Sequence, residues 1–71
     1  MVRKYSVSLH GHRTSFSLEE EFYSALKDIA SRRGQSLASL IADVDDERQA
    51  SYNLSSALRV HVLKTMGRPG D

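Results

Sequence analysis

Three histidines, a run of carboxylates and one alternating stretch of hydrogen-bonding side chains hold the chemistry that this chain offers. His10 and His12 stand two apart, the spacing at which strand residues share a face and could present two imidazoles to a metal. They flank Gly11, however, and residues on either side of a tight turn are not so arranged; no third ligand is evident. Asp43, Asp45, Asp46 and Glu47 open like a calcium loop, but the sixth position is Arg48 rather than glycine and the twelfth is Leu54 rather than a bidentate acid. His61 falls in the third expected helix with no nucleophile to serve, which reads as a packing or hydrogen-bonding residue. Asn53-Leu54-Ser55 has the form of a glycosylation sequon and is better read as a helix cap. No acid-base pair, nucleophile or cofactor loop is visible, so the expectation is a protein that is not an enzyme and takes no metal or cofactor. What remains is Arg13, Ser15 and Ser17, which alternate along Arg13-Thr14-Ser15-Phe16-Ser17-Leu18 and keep one face small and polar around a single guanidinium.

The other side of that stretch carries Thr14, Phe16 and Leu18, the period of a half-buried strand. Ser17 and Glu20 match a capping box, so a helix is expected at residue 18 with no intervening loop. A strand this short cannot bury Phe16 alone, and needs a second strand. A second copy of the chain is the expected donor. Upstream, Tyr5, Val7 and Leu9 occupy odd positions, whereas Thr14, Phe16 and Leu18 occupy even ones. That phase flip fits a hairpin over residues 2–18 with His10-Gly11 as its two-residue loop, pairing Leu9 with His12, Val7 with Thr14 and Tyr5 with Phe16; a bulge near Gly11 would also reset the phase. Lys4, Ser6, Ser8, Arg13, Ser15 and Ser17 would then share the polar face.

Residues 18–33 form the first expected helix, with Phe22, Ala25, Leu26, Ile29 and Ala30 as its apolar stripe and Gly34 as its stop. Ser36 caps a second over 36–47, which buries Leu37, Leu40, Ile41 and Val44. Asn53 caps a third over 54–66, closed by Gly67, and residues 67–71 are a tail. The apolar residues of the third helix spread nearly all round, which predicts burial on most sides. All of this is expected as one domain over 1–71, α+β and mainly helical.

The chain has 71 residues, a size at which a core gives marginal stability without help. It has no cysteine, which excludes disulfides and thiolate metal sites. No apolar run approaches a membrane span, and the amino terminus lacks the apolar core of a signal peptide; a soluble, cytoplasmic protein stabilised by oligomerisation is expected. The net charge is only +1, but residues 1–17 carry Arg3, Lys4, Arg13, His10 and His12 without an acid.

With Glu19-Glu20-Glu21-Phe22, the run Leu26-x-x-Ile29-Ala30-x-x-x-Gly34 and Gly34-Gln35-Ser36-x-x-Ser39-Leu40-Ile41 following the strand, the sequence resembles the ribbon-helix-helix superfamily, the MetJ/Arc type of dimeric DNA-binding protein. Gly11-His12-Arg13-Thr14-Ser15 and Asn53-Leu54-Ser55-Ser56-Ala57-Leu58-Arg59 are similar to a bacterial subgroup of it. The resemblance implies a homodimer whose strands form a ribbon in the major groove of double-stranded DNA, acting as a transcriptional regulator. Arg13, Ser15 and Ser17 would face the bases, and Arg13 alone can bond two acceptors of a guanine. Phosphates would be met by the start of the second helix at Ser36 and Leu37, and by Arg3 and Lys4. A hairpin in each protomer would widen the ribbon to four strands, which do not seat flat in a groove about 12 Å wide when strands lie about 4.8 Å apart. Residues 2–9 would have to swing aside or follow the phosphates. The alternative is a protein-interaction module, an antitoxin or adaptor, whose third helix docks a partner; truncation of residues 50–71 is expected to separate the two.

Overall fold

The computed structural model describes residues 1–67. Strand β1 (Val2–Leu9) and strand β2 (His12–Glu19) form an antiparallel hairpin, followed by α1 (Glu20–Arg32), α2 (Leu37–Glu47) and α3 (Leu54–Met66). The pairing is that implied by the phase flip: Leu9 lies opposite His12, Val7 opposite Thr14, Tyr5 opposite Phe16 and Lys4 opposite Ser17. His10 and Gly11 both have positive φ, 53° and 80°, as a two-residue turn that follows the right-handed twist of the strands requires. The second strand that Phe16 needs is therefore supplied by the same chain, not by a second copy.

The junction between β2 and α1 departs from expectation. Ser17 does not cap α1. The strand continues to Glu19, which occupies the N-cap position in an extended conformation without a side-chain capping bond, and the helix starts at Glu20 rather than 18. Two pairings explain the delay. The ladder runs on past Ser17, with Leu18 opposite Arg3 and Glu19 opposite Val2, and the Ser17 amide donates to Ser55 Oγ at 2.9 Å, so Ser17 is engaged by tertiary structure before a local cap can form. Glu20 and Glu21 still place their charge in the first turn of α1, where the helix dipole favours it.

Local signals hold elsewhere. Gly34, at φ 66°, ends α1 with the amide of Gln35 bonded to the carbonyl of Ala30 and its own amide to that of Ser31, the paired bonds of a glycine-terminated helix. Ser36 Oγ accepts from the Ser39 amide at 3.0 Å to start α2, and Asn53 Oδ1 accepts from the Ser56 amide at 2.8 Å to start α3. At the far end Gly67 closes α3 with an ordinary right-handed φ of −85°, although a Cβ there would lie 3.0 Å from the carbonyl oxygen of Leu63. Residues 68–71, the rest of the expected tail, lie outside the described residues.

One core gathers the inward face of the hairpin (Leu9, Phe16, Leu18) with Leu26, Ile29 and Ala30 of α1, Leu40, Ile41 and Val44 of α2, and Leu54, Ala57, Leu58 and Val62 of α3. Leu18, Leu26, Leu40, Ile41 and Leu58 are completely enclosed. Tyr5 stacks flat on Tyr23 of α1 at 3.8 Å between ring centroids, fastening β1 to the helices. The third helix is at least partly buried at every residue from Leu54 to Val62, as its apolar wheel implies, but near its end Leu63 and Met66 are 71% and 54% exposed. A helical wheel shows that apolar residues surround α3, but only packing decides which of them a single chain can cover.

Candidate nucleic-acid interface

The outward face of the hairpin collects the six residues that the alternation assigned to it. Ser8 lies opposite Arg13, Ser6 opposite Ser15 and Lys4 opposite Ser17. All are exposed except Ser17, which is half-buried. Four serines between two cations make a surface that can approach another closely, and its only charges are positive. Among the described residues neither Lys4 nor Arg13 takes part in an ion pair, so both cations stand ready for an external anion or acceptor. Arg3 is placed differently. It pairs with Leu18 and so projects from the opposite, core-side face near the open end of the hairpin, apart from Lys4.

The edge of β2 that faces away from β1 has two unlike ends. Because Leu9 and His12 close a two-residue turn, they form a hydrogen-bonded pair, and bonded and non-bonded pairs alternate from there. Arg13, Ser15 and Ser17 are the non-bonded members, whose backbone groups point outward. At Ser17 both groups are taken up by α3: the amide by Ser55 Oγ, and the carbonyl by Arg59 Nη2 at 3.4 Å. Arg59 also donates through Nε to Glu19 Oε1 at 3.0 Å and lies 6.0 Å from the ring centroid of Phe22. A hydrogen bond with its own backbone, then the guanidinium of Arg59, hold the Glu19 carboxyl below its ordinary value. No local pattern in the sequence announced Ser55 or Arg59, since their partners lie 38 and more residues away. At Arg13 and Ser15 the outward backbone groups have no partner among the described residues.

The start of α2 is the second candidate. Ser36 spends its hydroxyl on the Ser39 amide, and the first backbone bond of the helix runs from Leu40 to Ser36, which leaves the amides of Leu37 and Ala38 open at the positive end of the dipole. No acid occupies that first turn. Gln35 Nε2 donates to Ser39 Oγ at 3.1 Å and to Asp43 Oδ2 at 2.9 Å, bracing the loop ahead of the helix.

The remaining titratable residues are arranged for structure. His10 approaches Asp46, with Nε2 2.7 Å from Oδ1, which ties the hairpin turn to the end of α2. Asp45 lies close enough for His10, Asp45 and Asp46 to group three donor atoms, a cluster in which Asp45 is half-buried and which His12 does not join. Asp45 is itself paired with Arg48 at 3.1 Å. His61 Nε2 is buried without a hydrogen-bond partner among the described residues; desolvation, aided by the charge of Arg33, pushes this imidazole below its ordinary value against a smaller pull from Glu47. No helix among the described residues is long and apolar enough to cross a membrane.

Compared with known proteins, residues 2–66 match a family model described as a ribbon-helix-helix domain. Neither a curated protein nor a solved structure matches the chain.

Proposed function

The chain belongs to the ribbon-helix-helix domain family, whose members are typically DNA-binding regulators or antitoxins, and on that premise we propose that it is a homodimeric, cytoplasmic DNA-binding protein that regulates transcription. The observation that carries the reading is the outward hairpin face, where Arg13, Ser15 and Ser17 alternate opposite Ser8, Ser6 and Lys4 with no acid among them.

Two β2 strands side by side form the centre of a sheet, with the two β1 strands outside. Four strands span about 14 Å at about 4.8 Å per step, slightly more than the width of a major groove of about 12 Å. The misfit has a useful consequence. The central pair enters the groove and brings Arg13 and Ser15 to base edges, with Ser17 at the end of the ribbon, while twist carries the outer strands over the groove walls. Lys4, on an outer strand and on the same face, then meets phosphates. Arg3 projects from the other face and reaches backbone only around the strand edge. The open amides of Leu37 and Ala38, held by the Ser36 cap, make a second phosphate grip.

A second reading has an observation of its own. Leu63 and Met66 leave an apolar patch on α3, which suits a protein partner, as for an antitoxin or adaptor. Truncation of residues 50–71 does not separate the readings, because Leu54, Ala57, Leu58 and Val62 belong to the core and their loss would unfold the protein. Substitutions at the patch do separate them. Under the DNA-binding reading, Leu63→Glu with Met66→Glu leaves binding to duplex unchanged, whereas Arg13→Ala relaxes the base preference found by selection from a random duplex pool. Absence of binding to any duplex at low salt would remove this reading.

A further inference from the structure

The free edge of β2 is bounded at both ends. It starts at His12, where the strand leaves the turn. It stops before Ser17, whose amide and carbonyl are already bonded to Ser55 and Arg59 of α3. Between those limits lie His12, Arg13, Thr14, Ser15 and Phe16, with outward backbone groups at Arg13 and Ser15.

We propose that α3 fixes the register in which two copies of the chain pair: the Ser55–Arg59 clamp on Ser17 confines the shared ribbon to residues 12–16, so that the two-fold axis passes through Thr14. The proposal rests on the homodimer reading above and adds which residues face one another. A symmetric antiparallel pair of this segment sets Arg13 opposite Ser15 of the partner subunit, and Ser15 opposite the partner's Arg13. The amide and carbonyl of each are used, which makes four backbone bonds across the axis. His12 lies opposite the partner's Phe16, so the hairpin turn of one protomer arrives at Ser17 of the other and ends beside Ser55 without displacing it. Sliding the pair to centre on Ser15 would lay the partner's Arg13 against Ser17. The clamp then has to open, or Ser17 is left out and only the central Ser15 pair forms. Centring on Thr14 also holds the two Arg13 side chains at the diagonal spacing of neighbouring strands, about 7–8 Å, instead of at opposite ends of a longer ribbon. Ser55 and Arg59 are thus positioning residues, acting on the spacing of the DNA-facing guanidinium without touching DNA.

The absence of cysteine makes the register directly readable with single introduced thiols. At a concentration where sedimentation shows a dimer, Thr14→Cys is expected to form an intermolecular disulfide, since the central non-bonded pair brings its Cα atoms to about 4.5 Å. Ser15→Cys, displaced diagonally from its own copy by about 7–8 Å, should link at least about tenfold more slowly. A mixture of Arg13→Cys and Ser15→Cys, both on the exposed face and harmless to the core, should form the mixed disulfide in preference to either homodimeric one. In a Ser55→Ala, Arg59→Ala background the preference for Thr14 over Ser15 should fall. Faster linking of Ser15→Cys than of Thr14→Cys, a mixed pair that does not form, or a clamp-free background with unchanged preference would each overturn the assigned register. A dimer that none of these thiols links would place the interface elsewhere, on the β1 edge for instance, and overturn it too. A monomer by sedimentation, before any thiol is introduced, would instead remove the homodimer reading and this inference with it.

Discussion

The two ends of β2 differ in one respect that organises the molecule. Near the turn, Arg13 and Ser15 expose side chains on the polar face and offer unpaired backbone along the edge. Near α1, the same alternation yields Ser17, but there the edge is closed by Ser55 and Arg59. One strand is therefore open where it can meet other molecules and sealed where it must hand over to a helix. An exposed strand edge is a liability, and an intramolecular cap shortens it to the length that a symmetric partner can cover.

Several substitutions break or sharpen the contrast. The largest effect is expected from Leu58→Ala, which removes a completely enclosed side chain from the helix that seals the closed end; a loss of about 2–5 kcal/mol in denaturant unfolding is expected for a cavity of this kind. At the open end, Arg13→Ala should leave thermal stability within about 0.5 kcal/mol, yet cost about 1–3 kcal/mol of discrimination at one base pair in competition binding. A loss of affinity equal for all sequences would instead make Arg13 a phosphate contact. Ser55→Ala should cost about 1 kcal/mol by orphaning the Ser17 amide, measurable as a lowered midpoint and as faster exchange of that amide. Lys4→Ala is expected to weaken binding evenly across sequences and to reduce the slope of log affinity against log salt by about 0.9.

Acid should act on His61 and on the closed end of β2 in separate windows. His61 has a folded value lowered from 6.5, so the unfolded chain takes up its proton first, and stability should fall as pH drops from 6.5 to that lowered value. Glu19 has a folded value lowered from 4.5. The stability that its own backbone hydrogen bond, and then Arg59, give to the ionised carboxyl is fully present above 4.5 and is lost as pH falls through the lowered folded value. Glu19→Gln should remove the second phase and keep the first, which a pH series of urea melts would resolve.

Most of the fold was legible because its signals are local. The phase flip around His10-Gly11 predicts the hairpin and its register, Ser36 and Asn53 predict two caps, and Gly34 predicts the turn between helices. The polar face was legible for the same reason, as a strand pattern two residues in period. Ser17 was misread because its S-x-x-E spacing is a true local preference that lost to a ladder partner and to a hydroxyl far along the chain. The clamp residues were invisible since nothing about Ser55 or Arg59 alone says what α3 will lie against. The exposure of Leu63 and Met66 was missed in the opposite sense: apolar character on all sides says that cover is wanted, not that one chain can supply it.

Amide hydrogen exchange on the assembled protein tests the contrast along β2 most directly. The amides of Arg13 and Ser15, which find no acceptor among the described residues, should be protected in the dimer, and the Ser17 amide should be protected through Ser55 Oγ until that residue is replaced by alanine. Exchange of Arg13 and Ser15 at the rate of freely exposed amides, under conditions where the protein is folded, would contradict the account.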